Sequence, residues 1–217
     1  MPKPYYETEL GKLYHGDCLE IMPMLEPVDL VLTDPPYGIG LNCLNEASGG
    51  RGRQSFDVIV GDNQMFDPTP WLDFHDVIIF GCNHYCHAIP PLDGQWYFWD
   101  KTLQNNKCRI AEGEFFWHKM GTKPRAFRHL WSGAYRASES GIKSLHPTQK
   151  PVSLMVWCLQ QSKTTGTVFD PFIGSGTTAI ACERLNRRWI GIEIEERYCE
   201  IAAKRIEKEN QQLKLFV

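Results

Sequence analysis

The feature that most limits how this chain can fold lies near its C-terminal end. Residues 167–170, TVFD, read as a short apolar strand ending in an acid, Asp170. A glycine-spaced turn follows through Pro171, Phe172, Gly174, Ser175 and Gly176. At Thr177 it opens into a helical stretch carrying AIACERL. RRWIGIEI then returns as a strand, with a second acid, Glu193, 23 positions after Asp170. Strand, turn, helix and strand make a βαβ unit, whose parallel strands need a larger sheet around them. Glycines let the backbone approach a ligand, and a helix N-terminus presents free N–H groups. An acid ending the second strand can accept hydrogen bonds from ribose hydroxyls. The turn has only G-x-G, without the third glycine of the dinucleotide fingerprint. The unit reads as a site for a nucleoside-containing cofactor, with a tight ligand-free turn as the plain alternative.

The rest of the chain supplies the sheet. KLYHG reads as a strand followed by a helical stretch from Cys18 to Leu25, which Pro27 ends. VDLVLT is a second strand, stopped by Asp34-Pro35-Pro36. VIIF (77–80) and QWYFW (95–99) are two more. Pro151 suits the first turn of the helix VSLMVWCLQQ, and the last helix sets Tyr198, Ile201, Ala202 and Ile206 on one face. Alternation of this kind predicts an α/β fold with a mostly parallel, doubly wound sheet. Because the glycine-turn unit comes last, its next strand must come from the other end of the chain. We therefore expect a circularly permuted sheet in which KLYHG pairs beside that unit and Gly16-Asp17-Cys18 lies near the cofactor. From Gly38 to about Asp67 the chain reads as a long loop centred on Gly49-Gly50-Arg51-Gly52-Arg53. Residues from about Gln211 onward are expected to fray.

Composition sets the class. At 217 residues the chain can bury one substantial core, and we read one domain over 1–217 with a small strand-and-loop insertion over 102–145. No apolar run approaches the roughly 20 residues of a membrane span. The start, MPKPYYETELGK, lacks the apolar stretch of a secretory signal, so a cytoplasmic protein without a membrane partner is expected. Eight cysteines are scattered with no C-x-x-C pair. Cys82, His84, Cys86 and His87 follow VIIF and read as a strand-to-loop junction rather than a zinc site, so no metal is expected. The net charge is −3, yet residues 101–150 hold ten basic and three acidic side chains. A basic segment in an acidic chain fits a localised phosphate-binding face, or a solvated surface.

Asp34-Pro35-Pro36-Tyr37 carries the candidate chemistry. Two prolines fix φ and remove two donors, leaving the Asp34 carboxylate and the Pro35 carbonyl as acceptors. An exocyclic amine conjugated to a heterocycle is a poor nucleophile. Two acceptors on its N–H groups favour a pyramidal nitrogen and expose its lone pair. Tyr37 would stack on a base taken out of its duplex. Alone, the tetrapeptide is equally a turn with a capping Asp.

Together these residues resemble the β-class amino DNA methyltransferases, in which D-P-P-Y precedes F-x-G-x-G, as here. The resemblance implies a Rossmann-like S-adenosylmethionine-dependent methyltransferase fold, S-adenosylmethionine as cofactor, and double-stranded DNA as substrate. His146-Pro147-Thr148-Gln149-Lys150-Pro151 is similar to the family segment leading into the helix that holds the methionine end of the cofactor. It implies that His146, Thr148 and Lys150 sit near that carboxylate and amino group. Asp17 and Cys18 match the adenine-binding stretch. Asp170, Pro171, Phe172, Gly174, Ser175, Gly176 and Thr177 match the main cofactor loop, and Glu193 the ribose acid. Phe80-Gly81-Cys82-Asn83-His84 and Trp99-Asp100-Lys101 fall where family strand ends line the target pocket. Asp at the first motif position is the family's usual choice for adenine N6, and Ser for cytosine N4. Asn there would have pointed to protein glutamine methylation. Only 44 residues separate Lys101 from His146, which implies a short or relaxed recognition sequence, or help from a second subunit in a homodimer. Arg125, Arg128, His129, Trp131, Tyr135 and Arg136 are candidate DNA contacts, with Arg51 and Arg53 of the glycine loop. N4-cytosine or RNA methylation, a nicotinamide oxidoreductase and a non-catalytic nucleic-acid binder are the competing readings.

Overall fold

A computed structural model of the chain describes residues 2–40, 58–103, 111–132, 135–141 and 144–214. Arg51, Arg53 and most of the glycine loop lie outside the described residues. In chain order the strands and helices are β1 (Tyr6–Glu7), β2 (Gly11–His15), α1 (Cys18–Ile21), β3 (Leu30–Thr33), α2 (Thr69–Leu72), β4 (Asp76–Phe80), β5 (Gln95–Asp100), β6 (Gly113–His118), β7 (Arg125–Arg128), β8 (Trp131–Ser132), β9 (Tyr135–Arg136), α3 (Val152–Gln161), β10 (Val168–Asp170), α4 (Thr177–Arg184), β11 (Trp189–Glu193) and α5 (Glu196–Leu213). The last helix is continuous through Leu213, beyond the expected fraying point at Gln211.

Nine strands form one sheet in the order β1-β2-β11-β10-β3-β4-β6-β5-β7, and β8 pairs with β9 apart from it. From β2 to β4 every pairing is parallel, and β6 runs antiparallel between β4 and β5. The expected permutation is present. Gly11 through His15 pair in parallel with Trp189 through Glu193, so the first part of the chain completes the sheet begun by the last.

Period-two alternation divides the core between the two faces. Leu30, Leu32, Ile78 and Phe80 point to one side, where α3, α4 and α5 bury Leu154, Cys158, Ile180 and Ile206 against them. Val31, Val77, Ile79, Phe169 and Ile192 point to the other, under Ile21, Trp71 and Tyr85.

One boundary needs correction. The stretch 102–145 is not wholly an insertion, because β6 sits inside the main sheet and β7 extends its edge. Phe116, Trp117 and His118 are all buried in succession. Gly113, Glu114 and the exposed Phe115 precede them, so the strand shows neither an unbroken apolar run nor a clean alternation, and the basic residues flanking it hid it further.

Candidate active site

β3 delivers Asp34 to the carboxyl end of the parallel strands, the end where such sheets bind ligands. Pro35 is buried directly behind it. The Tyr37 hydroxyl donates to Asp34 Oδ1 at 2.5 Å, so the first and last residues of the motif fold onto each other. The Tyr37 ring lies on the backbone of Gly81, where φ is +71° and a Cβ would overlap the ring. Its other neighbour is His84, stacked at 5.3 Å between centroids and 18° between planes. Gly81 is thus required twice, for its left-handed φ and for the space it leaves.

The second oxygen of Asp34 is also engaged. Lys150 Nζ pairs with Oδ2 and lies 3.2 Å from Glu114 Oε2, while Lys101 Nζ pairs with Glu114 Oε1. Two ammonium groups and two carboxylates therefore form a neutral chain with Lys150 buried at its centre and the others partly buried. Burial pushes the Asp34 carboxyl up, opposed by Lys150. Burial works against the Glu114 charge too, yet Lys150 and Lys101 hold that carboxyl below its ordinary value. Burial also opposes the Lys150 charge, but Asp34 and Glu114 keep the ammonium above its usual range. Sequence reading missed Glu114. It is one of three acids in the basic segment, but only the antiparallel course of β6, pairing Glu114 with Trp99, brings it to this end of the sheet.

The glycine turn is built as a cradle. Asp170 Oδ1 accepts from Thr33 Oγ1 at 2.7 Å and from Phe172 N at 3.1 Å, and Oδ2 accepts from Thr178 Oγ1 at 2.5 Å. Burial raises its carboxyl to about 6. Glu193 accepts from Gly174 N at 2.9 Å and Glu195 N at 2.8 Å, and burial raises it to about 7. Gly174 and Gly176 have φ of +52° and +83°, and α4 begins at Thr177. From α5, Arg205 Nη1 donates to Ser175 O, Ser175 Oγ and Thr177 Oγ1 at 2.5, 2.8 and 3.3 Å. Nothing in the local sequence announces that brace, which comes from a helix face 28 residues away from Thr177.

His146 packs on Tyr198 at 4.4 Å between centroids. Burial, with help from Lys150 and two arginines, lowers its imidazole to about 4. Thr148 bonds back to His146 Nδ1 at 3.2 Å. Glu139 accepts from Gln149 Nε2 at 3.1 Å and from Val152 N at 3.0 Å, tying the segment after β9 to the start of α3. Asp17 caps α1 by accepting from Leu19 N at 2.7 Å, beside the half-buried Cys18. A cleft of about 40 Å³ runs between these parts, and it is lined by Asp34, Lys150 and Asp170 together with Gly174, Ser175 and Thr177. A larger hollow of about 400 Å³ lies at the opposite end of the strands, by Asp29, His75 and Asp76. It holds none of the residues read as chemical.

The candidate DNA contacts are not gathered on one face. Arg125 and Arg128 are exposed on the edge strand β7, three positions apart, and so point to opposite sides of the sheet. Arg136 stacks on Trp131 at 4.2 Å and donates to Ser144 Oγ at 2.5 Å. His129 Nε2 sits 2.9 Å from Ser138 Oγ. Of the cysteine–histidine group after β4, Cys82 is buried and Cys86 exposed. Among the described residues no three acids, cysteines or histidines are grouped to hold a metal ion, and no helix is long and apolar enough to cross a membrane.

Residues 93–204, just over half of the chain, match a family described as DNA methylase. The Type II methyltransferase M.HinfI of Haemophilus influenzae is 32% identical over 95% of this chain and 71% of its own length. M2.DpnII of Streptococcus pneumoniae is 26% identical over 97% of this chain and 95% of its own. The crystal structure of an M1.HpyAVI–SAM complex shares the fold with a TM-score of 0.56, at 23% identity over 91% of this chain and 99% of its own. The cytosine-N4-specific PvuII DNA methyltransferase does so at 0.59, with 18% identity over 96% and 93% of the two chains. With the motif order, the permuted sheet and these similarities in agreement, the chain belongs to the N6/N4 DNA methylase family.

Proposed function

We propose that this DNA methylase transfers a methyl group from S-adenosylmethionine to the exocyclic N6 of adenine in double-stranded DNA. The observation that carries the reading is one cleft lined both by Asp34 and by the glycine turn of Gly174 to Thr177. An acceptor for an amine N–H and a cradle for a nucleoside cofactor then face the same space.

The residues present fit that cofactor. Two buried acids end adjacent strands, the glycines at 174 and 176 have left-handed φ and add no side chain there, and α4 presents its first N–H groups beside them. When bound, S-adenosylmethionine supplies an electrophilic sulfonium methyl. Glu193 would accept from the ribose hydroxyls, Asp17 and Cys18 would border the adenine, and His146, Thr148 and Lys150 would lie toward the methionine end.

The protein's part in the reaction is orientation. Asp34 and the Pro35 carbonyl accept the two N–H groups of the target amine, which favours a pyramidal nitrogen and directs its lone pair at the methyl carbon. With the cofactor bound, its methyl would pass to that nitrogen as the sulfonium becomes a thioether, and Asp34 or water would take up the amine proton. Tyr37 packs against Gly81 and stacks on His84, so a base drawn out of the duplex would take the place of His84 on that ring. Asp34 rather than Ser at the head of the motif favours adenine over cytosine. Arg125, Arg128 and Arg136 are our candidates for phosphate and base-edge contact.

Tritiated S-adenosylmethionine and unmethylated duplex DNA, followed by nucleoside separation, test the reading. We expect label in N6-methyladenine, lost in Asp34→Ala while that variant still binds the cofactor. Label in N4-methylcytosine would replace the target base and keep the mechanism. No label in DNA or RNA would leave a nucleic-acid binder on a methylase fold.

A further inference from the structure

Both oxygens of Asp34 carry a partner in this structure: Tyr37 donates to one and Lys150 to the other. Each oxygen keeps a second lone pair, but an ammonium seated on Oδ2 competes with an amine N–H for that oxygen. The Lys150 contact is the one that must yield, because it spans from the segment before α3 while Tyr37 belongs to the same short motif. A buried ammonium gives up a partner only if another is at hand.

Glu114 supplies that partner. Its Oε1 is held by Lys101, which also lies over the Trp99 ring at 4.8 Å. Its Oε2 faces Lys150 Nζ at 3.2 Å and, among the described residues, has no hydrogen-bond partner although it is buried. An anchored carboxylate whose second oxygen already shares the cation, without a well-aligned hydrogen bond to it, is an alternative seat for that cation. β6 holds Glu114 rigidly, since its backbone pairs with Trp99 on one side and the neighbouring Phe115 carbonyl accepts from Gly81 N at 3.0 Å on the other.

We propose that Glu114 is a positioning residue for methyl transfer: it draws the Lys150 ammonium away from Asp34 when the target amine arrives, freeing the Asp34 oxygen that accepts it. The inference rests on the amine-methylating role given to Asp34 above. The total charge of the quartet does not change as Lys150 shifts. Lys101 sets the balance by sharing the other Glu114 oxygen.

The test is Glu114→Gln, which keeps the shape and removes the charge. Lys150 should then stay on Asp34. We expect kcat on duplex DNA to fall on the order of 10²-fold, with the S-adenosylmethionine Kd within about threefold of the parent. The Glu114 charge holds the Asp34 carboxyl up, so the acid limb of the kcat profile should move to lower pH in this variant. Loss of the charge alone also moves that limb, so the specific readout is the cycle with Lys150→Met: in that background Glu114→Gln should cost little further kcat, and a full additive loss overturns the proposal. Glu114→Asp keeps the charge with a shorter reach. It should lower kcat less and leave the acid limb at the parental pH, which gives a second reading should Glu114→Gln fold poorly. Unchanged kcat in Glu114→Gln, or a loss with no shift of the limb, overturns the proposal, as does a shifted limb in Glu114→Asp. Failure of the parent protein to methylate DNA would instead sink the proposed function, and the two failures are read from different samples.

Discussion

Asp170 and Glu193 are the residues whose environments most directly link structure to a measurable pH dependence. Burial raises both carboxyls above their ordinary values, to about 6 and about 7. Folded protein therefore binds protons more tightly than unfolded protein at these sites. Stability from them is fully present below the unfolded values and is lost as pH rises through the folded ones. Cofactor binding should run the other way, because an ionised Glu193 accepts from ribose hydroxyls better than a neutral one. We predict that affinity for S-adenosylmethionine, measured by calorimetry, rises between pH 6 and 8, and that Glu193→Ala both weakens binding and flattens that rise. An unaltered dissociation constant in the variant would remove the ribose role. Both acids were legible in the sequence, since each ends an apolar strand around a glycine turn. Their hydrogen-bond partners were not. Thr33 reaches Asp170 from another strand, 137 positions earlier, and no local pattern encodes such a pair. Glu114 was hidden for the same reason, since its place depends on which way β6 runs.

At the scale of elements, α5 shows how a surface helix can serve a site it does not line. Its apolar face buries Tyr198, Ala202 and Ile206, a spacing visible in the sequence. Arg205, between them, turns back to brace Ser175 and Thr177 and is itself largely buried. Arg205→Met keeps the stem of the side chain but leaves the Ser175 carbonyl without its charged donor. Such a bond is worth about 1.5–3 kcal/mol. If the brace shapes the turn, the Kd for S-adenosylmethionine should rise about tenfold or more, with kcat on saturating cofactor little changed. Equal binding in the variant and parent would make the brace purely structural. The strands followed a similar pattern. β3 and β4, buried at every position, were legible as short apolar runs, whereas β6, half-exposed from Gly113 to Phe115 and buried only from Phe116 to His118, was absorbed into the insertion. β8 and β9 are two residues each, too short for any periodicity to mark.

For the whole molecule, the informative fact is the pairing of β2 with β11. It joins Gly11–His15 to Trp189–Glu193 in parallel, uniting strands from opposite ends of the described chain. Leu13, fully buried at that seam, is predicted to be a stability site far from the chemistry. Leu13→Ala should cost about 2–5 kcal/mol, and so lower Tm by roughly 5–15 °C for a chain of this size. A thermal melt showing a smaller loss would mean that the seam contributes little. The strand order has a consequence for synthesis as well. β10 and β11 insert between β2 and β3, which are separated by only a short helical turn and its connections. A nascent chain leaving the ribosome would carry β2 and β3 early and have to hold a two-strand gap between them. The gap cannot close until residues 168–193 emerge, so two interior strands of the parallel part are the last to be filled. Nascent β2 and β3 would wait with open edges, and a ribosome that stalls late in the message would release a chain prone to pair with its neighbours.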